Sequence, residues 1–302
     1  MVKGETYERY KGISTYNKDG RKSFYELLSQ FFKLKEAGWI AEKVYDSKSL
    51  DEFGINLPSF CFKTKKKGKA LWILSGIHGE EPAGPNAIAE NIAFLIELGK
   101  KIPIVLFPLC NPVGYVLNWR YPIQEKFYEG CLNQSVSGCD YFLLKENGIE
   151  KRANKPESPE SIILINKILE LSKNHPPLIT LDLHEDDEIN GVYLYSQGKR
   201  GIQDPIANRI ISILLKSGVA IKMNGKTTRN EIITNGIVGA EKDGSIDEFL
   251  AEENIIVNNR IIQGLASPTA IVIETPSKLM SLGGRLNIHS LIINDLGTLG
   301  DR

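Results

Sequence analysis

Three residues carry the most concentrated chemistry in this chain. His78 and Glu81 stand three apart in SGIHGEEPAG, directly after the apolar run ALWILSG, and His184 closes a β-rich run in ITLDLHEDD. Each alone would be an ordinary surface residue. Placed where buried strands run out, the first pair on a turn loosened by Gly76 and Gly79, they can point at one metal ion. Two imidazole nitrogens and one carboxylate leave the fourth tetrahedral position to water, the pattern of a catalytic zinc site rather than a closed structural one. Glu80 competes with Glu81 for the carboxylate position, and physics alone does not choose between them.

The elements that must position these residues alternate in type. SFYELLSQFFKLKEAG has a helical apolar stripe, with Gly38 suited to the position past its end. ALWILSG reads as a strand, and EPAGPNAIAENIAFLIELGKK as one helix entered through Pro82. IPIVLFPLC is a strand. SPESIILINKILELSK is a helix with Ser158 as cap and Pro159 at its first position. LITLDL is a strand, DPIANRIISILLKSG a helix closed by Gly218, and TAIVIET a last buried strand. Such alternation predicts an α/β fold, a central sheet with helices on both faces. Ligands of these sheets bind beyond the carboxyl ends of strands. His78, Asn111, His184 and Glu274 each follow a predicted strand closely, so four polar candidates fall on one edge.

Bulk properties exclude several classes. The 302 residues are 42% hydrophobic and 25% charged, ordinary for a globular protein, and suffice for one large core. Basic and acidic residues balance at 37 each, so no global field attracts nucleic acid or an anionic membrane. The basic run KTKKKGK fits a polyanion patch or a solvated hairpin turn between FCF and ALWIL, and the turn is the expectation. No apolar window approaches a transmembrane span and MVKGETYERYKG lacks the pattern of a signal peptide, so a cytoplasmic protein is expected. Cys61, Cys110, Cys131 and Cys139 show no metal-ligand spacing. Free thiols are expected, with a Cys131–Cys139 bridge as the alternative in an oxidising compartment.

HGEE, CNPVGYVLNWR, LDLHE, DGSIDEF and IVIETP, in this order, resemble the zinc carboxypeptidase family. That superfamily includes murein peptide amidases and, more distantly, aspartoacylase and succinylglutamate desuccinylase. The likeness runs from about Ala70 to Thr275. It implies a single catalytic domain over 1–302 with a zinc carboxypeptidase-like fold, built on a mixed central sheet with helices on both faces, residues 1–64 adding a helix and a β-segment packed on it. The family pattern places the ligands of one zinc ion on His78, Glu81 and His184, and its spacing selects Glu81 over Glu80. A His, His, carboxylate set also suits iron, and the likeness favours zinc. The family's catalytic glutamate falls on Glu274, ending the apolar strand AIVIE, and its oxyanion-stabilising arginine on Arg120. Plainer readings make Glu274 a surface carboxylate and Arg120 a packing partner of Trp119 or Tyr121.

Asp140, in SGCDYF, falls where the family has an aspartate supporting the first zinc histidine through the ring nitrogen facing away from the metal. Tyr141, Phe142 and Leu143 then replace the Asn-Arg pair that grips a substrate's terminal carboxylate, and Arg152 comes too late to match it. Ser245, Ile246 and Asp247 match the wall of the side-chain pocket, with Ile246 at its base. Asp243 to Glu248 reads equally as a helix start capped by Ser245. His175 before Pro176 reads as a turn residue and His289 as a packing residue of a terminal amphipathic stretch. Asp182 either orients His184 or ends its strand. Glu185 to Glu188 read as a solvated loop, or as a rim that repels acidic substrates.

The resemblance implies a zinc metallo-carboxypeptidase or amidase acting on a small peptide or amide by metal-activated water. Two alternatives stand beside it. One is an N-acyl amino-acid amidohydrolase of the aspartoacylase type; that branch carries a β-rich domain after the catalytic glutamate, whereas only residues 275–302 follow Glu274 here. The other is a non-catalytic peptide-binding relative. Oligomeric state is not legible.

Overall fold

The computed structural model describes residues 7–47, 56–120, 143–145, 148–150, 159–187, 189–240, 245–257 and 260–299. Helix α1 (Phe24–Glu36) buries Phe24, Leu27, Leu28, Phe31, Phe32 and Leu34 on one side. Ser23 starts it with a capping box, its hydroxyl taking the Glu26 N–H and the Glu26 carboxylate returning to the Ser23 N–H. Gly38, at φ 93°, turns the chain out of the helix. There follow β1 (Ile40–Ser47), β2 (Leu57–Lys63), β3 (Ala70–Ser75), α2 (Ala83–Glu90), α3 (Ile92–Lys101), β4 (Ile104–Phe107) and α4 (Pro112–Leu117). The short strands β5 (Leu143–Lys145) and β6 (Gly148–Glu150) precede α5 (Pro159–Ser172), β7 (Pro177–Asp186), β8 (Tyr193–Ser196) and α6 (Pro205–Lys216). Last come β9 (Asn224–Lys226), β10 (Ile232–Thr234), β11 (Ile237–Val238), α7 (Ile246–Ala251), β12 (Asn254–Val257), β13 (Arg260–Gln263), β14 (Thr269–Pro276) and α8 (Leu282–Asp295).

Among the described residues ten strands form one mixed sheet in the order β1-β2-β4-β3-β7-β14-β8-β11-β10-β9, and four form a second in the order β13-β12-β5-β6. The middle of the large sheet, β4-β3-β7-β14, is parallel. Side chains of these strands alternate between two cores, as strand geometry demands. Leu71, Ile73, Leu106, Leu181, Leu183, Ile271 and Ile273 join the cluster containing residues of α1, α2, α3, α6 and α8. Ala70, Trp72, Leu74, Val105 and Phe107 join the other, with residues of α5 and α7. Both faces are therefore helix-covered, which is why β3 and β4 read as nearly unbroken apolar runs.

Two sequence expectations change here. The helix expected from Pro82 to Lys101 is two helices, because Asn91 leaves helical geometry at φ −104°, ψ 17°. Its side-chain amide donates to the Ala87 carbonyl and to Ser290 of α8, while its oxygen accepts from Asn294. A tertiary contact sets the break. The run Lys65–Lys69 is exposed as expected, but it closes no hairpin: β4 lies between β2 and β3. No helix among the described residues is long and apolar enough to cross a membrane.

Candidate metal centre

Beyond Ser75 the chain turns at Gly76, whose φ of 60° suits glycine, and crosses the end of the sheet to α2. Neighbouring segments hold this loop at several points. Asn111 N–H donates to the Gly76 carbonyl at 2.7 Å. Arg21 Nη1 donates to the carbonyls of Gly79 and Tyr115 at 3.0 and 2.7 Å, its guanidinium lying against the rings of Tyr16 and Tyr115. At Gly79 a Cβ would come within 1.9 Å of the Gly114 carbonyl carbon, so the loop sits directly on the α4 backbone. Asn111 starts α4 by accepting the Gly114 N–H on its side-chain oxygen.

This loop brings His78 and Glu81 to His184, near the carboxyl end of β7. One candidate ligand atom from each of the three lies within 4.8 Å of the others. His78 Nδ1 is 2.8 Å from Glu81 Oε1, His184 Nδ1 is 3.0 Å from Glu81 Oε2, and the two Nδ1 atoms are 3.2 Å apart. Nitrogen and carboxylate donors converging in this way suit a divalent ion such as zinc. The geometry also separates the adjacent glutamates: Glu81 is buried between the imidazoles, whereas Glu80 reaches outward to Arg120 Nη1 at 2.9 Å.

Behind His184, Asp182 Oδ2 lies 3.1 Å from Nε2, which leaves Nδ1 facing the centre. Of the two readings of Asp182, this contact supports the orienting one. Burial disfavours a charged imidazole at both histidines. At His78 it wins and lowers the pKa to about 4, helped by Arg120. At His184 it is outweighed by the carboxylates of Asp182 and Glu81, which hold that imidazole well above its usual value. Burial would raise Glu81, yet the two histidines keep its carboxyl well below the carboxylate range.

Glu274 lies beside His184 in the parallel register of β14 with β7, and opposite Tyr193 of β8. It is half-buried. Burial pushes its carboxyl well above the ordinary range, with Glu81 and Asp186 reinforcing and His184 opposing. Tyr193 and Tyr195 share this face of the sheet, their hydroxyls donating to Asp186 and Glu231 at 2.7 Å each. Arg120 Nη1 lies 3.0 Å from Glu81 Oε1, so the guanidinium borders the centre. Arg120 thus contacts both Glu80 and Glu81, while Tyr121 lies outside the described residues.

Ser245 precedes α7 as its cap residue, and Asp247 and Glu248 fall in the first turn. Ile246 is buried with Ile77 and Cys110 in the cluster against α5. Asp140, Tyr141, Phe142, Arg152, Cys131 and Cys139 lie outside the described residues. Cys61 and Cys110 are buried free thiols, and burial raises the Cys61 thiol to about 12. His175 is buried and its Nε2 faces the carbonyls of Thr64 and Lys66 at 3.3 and 3.1 Å, so this turn residue fixes the basic loop. The solvated-loop reading fails for Glu185. This residue is 5% exposed and forms an ion pair with Arg285 of α8. Strand alternation carries it to the face opposite His184. Arg21 and Arg285 were not singled out from the sequence. For Arg285 the available signal is helical spacing: it shares the buried side of α8 with Ile288, His289 and Ile292.

No protein-family model matches the chain, and no curated protein matches it. Solved structures do. A candidate metallopeptidase of Shewanella baltica OS155 is 18% identical, with a TM-score of 0.68 and 91% of each chain covered. Carboxypeptidase A of Helicoverpa armigera is 13% identical at a TM-score of 0.60, over 97% of this chain and 77% of that one. A metallo-carboxypeptidase from Pseudomonas aeruginosa, in complex with (2-guanidinoethylmercapto)succinic acid, is 14% identical at 0.58, over 93% and 70%. What the chain shares with these structures is the mixed α/β fold; the His78, Glu81 and His184 cluster is this chain's own, at the carboxyl ends of β3 and β7. The chain has the metallo-carboxypeptidase fold.

Proposed function

We propose that this chain is a zinc-dependent metallohydrolase, a carboxypeptidase or amidase that cuts a peptide or peptide-like amide bond. The observation that carries this reading is the convergence of His78, Glu81 and His184 within 4.8 Å, with Glu274 next to His184 in strand register. His78, Glu81 and His184 would hold the zinc. When bound, zinc supplies a Lewis acid for the carbonyl and lowers the pKa of water toward about 7.

Glu274 takes the proton of the attacking water and delivers it to the leaving nitrogen. A carboxyl raised by burial is suited to this, because general acid–base catalysis works best when the group's pKa approaches the working pH. Arg120 faces the charge that develops on the carbonyl oxygen; its guanidinium stays charged at any working pH. Glu80 and Glu81 anchor that guanidinium in advance. Asp182 fixes the ring of His184. Ser245, Ile246 and Asp247 are assigned to the side-chain pocket. Without the Asn-Arg pair, discrimination between free and amidated C-termini is expected to be weak.

The test uses the metal-loaded chain and a panel of peptides, peptide amides and acetyl- or succinyl-amino acids. Wild type should hydrolyse peptide substrates, and Glu274→Gln should retain the metal while kcat falls about 10²–10⁴-fold. Metal retention with no turnover across the panel would instead support a binding module. Turnover confined to acyl amino acids would move the assignment to the aspartoacylase type.

A further inference from the structure

A buried ion pair lies against the metal-binding loop, on the sheet face away from the centre. Glu185 directly follows the ligand His184. Its backbone N–H donates to Glu81 Oε2 at 3.3 Å. Its side-chain Oε1 accepts from the N–H of Ala83, the first residue of α2, at 2.6 Å. Its other oxygen pairs with Nη1 of Arg285, which α8 brings in from the opposite side. Both side chains are at least nine-tenths buried.

Helix α2 has no side-chain cap of its own, because its cap position is Pro82. Its first N–H would otherwise be an orphan donor in a buried setting. A carboxylate there satisfies the donor and complements the positive end of the helix. The bond does more than end a helix. Glu81 is two residues before Ala83, so the ligand is held from both sides by one residue: its carboxylate by the Glu185 N–H, its backbone through α2 by the Glu185 side chain. Arg285, paired with the other carboxylate oxygen, fixes the side chain in this geometry.

Resting on the zinc reading above, we infer that Glu185 is a positioning residue for the ligand Glu81, and that Arg285 holds its side chain in the orientation that does this. The pair sets metal affinity without touching the metal. Outer partners of this type commonly change metal affinity 10–100-fold when replaced.

Single substitutions would leave an unpaired buried charge and so confound metal affinity with misfolding; two matched double variants form the test. Glu185→Leu with Arg285→Met removes both charges and the acceptor for Ala83. Glu185→Gln with Arg285→Met removes both charges but keeps an acceptor oxygen. Apparent zinc affinity is read by competition with a chromophoric chelator, and melting temperature is read without metal. The Leu/Met chain should bind zinc about 10–100-fold more weakly than wild type, and the Gln/Met chain within about threefold of it. A stability-only role would lower both apo melting temperatures while leaving both affinities within twofold of wild type, and that result overturns the inference. Equal losses in the two variants overturn it as well, since the acceptor would then not matter. A wild-type chain that binds no divalent ion overturns the zinc reading itself.

Discussion

Asp182 contributes to the centre through a single contact, 3.1 Å from His184 Nε2, from a side chain that is 2% exposed. Such a carboxylate fixes the imidazole's tautomer and raises its basicity as a ligand. Asp182→Asn keeps shape and loses charge. It should weaken zinc binding about 10–100-fold in a chelator competition, and an affinity within twofold of wild type would show that the contact is passive. Arg120→Ala should lower kcat about 10²–10³-fold, as loss of an oxyanion partner does. A rise in KM alone would mark Arg120 as a substrate-binding group instead. His78 and His184 could be picked out from sequence because each closely follows or ends an apolar run, whereas Glu81 was separable from Glu80 only through the family spacing. Glu185 and Arg285 could not, since a partner 100 positions away is set by how α8 packs, not by local pattern.

The loop from β3 to α2 works because two backbones touch. Gly79→Ala would force a methyl into the Gly114 carbonyl carbon at 1.9 Å, and neither backbone is free to yield. We expect a loss of about 3 kcal/mol or more in urea unfolding, together with loss of metal binding. A variant within 0.5 kcal/mol of wild type (roughly the range of neutral surface changes) would refute the close contact. Strands β3, β4, β7 and β14 were readable as apolar runs because both of their faces are covered. The order of those strands was not readable. Insertion of β4 between β2 and β3 depends on crossover connections rather than on residue pattern, which is why the basic run looked like a hairpin. The break at Asn91 escaped for a related reason: helix propensity continues through it, and contacts to Ser290 and Asn294 decide otherwise.

At the scale of the whole molecule, a neutral histidine is held beneath β14. His289 is fully buried, and burial together with the His184 and Arg285 charges lowers its pKa to about 3. Thr275 Oγ1 donates to the His184 carbonyl and so accepts from His289 Nε2, both at 3.4 Å. That leaves Nδ1 without a hydrogen-bond partner among the described residues. Unfolded chains protonate histidine below about 6.5, whereas the folded one resists until about 3. This contribution is complete above the unfolded value and is lost as pH falls from 6.5 toward 3, at up to about 1.4 kcal/mol per pH unit. His289→Gln should flatten the fall in stability between pH 6.5 and 4.5 in urea titrations. Parallel curves for the two proteins would mean that the histidine titrates alike in both states. Whether β3, its following loop and β7 deliver one divalent-ion site is decided by metal stoichiometry after zinc loading and desalting. The expected result is about one zinc per wild-type chain and none in the folded Glu81→Gln/His184→Ala variant. Zinc held equally by both chains, or by neither, would contradict it.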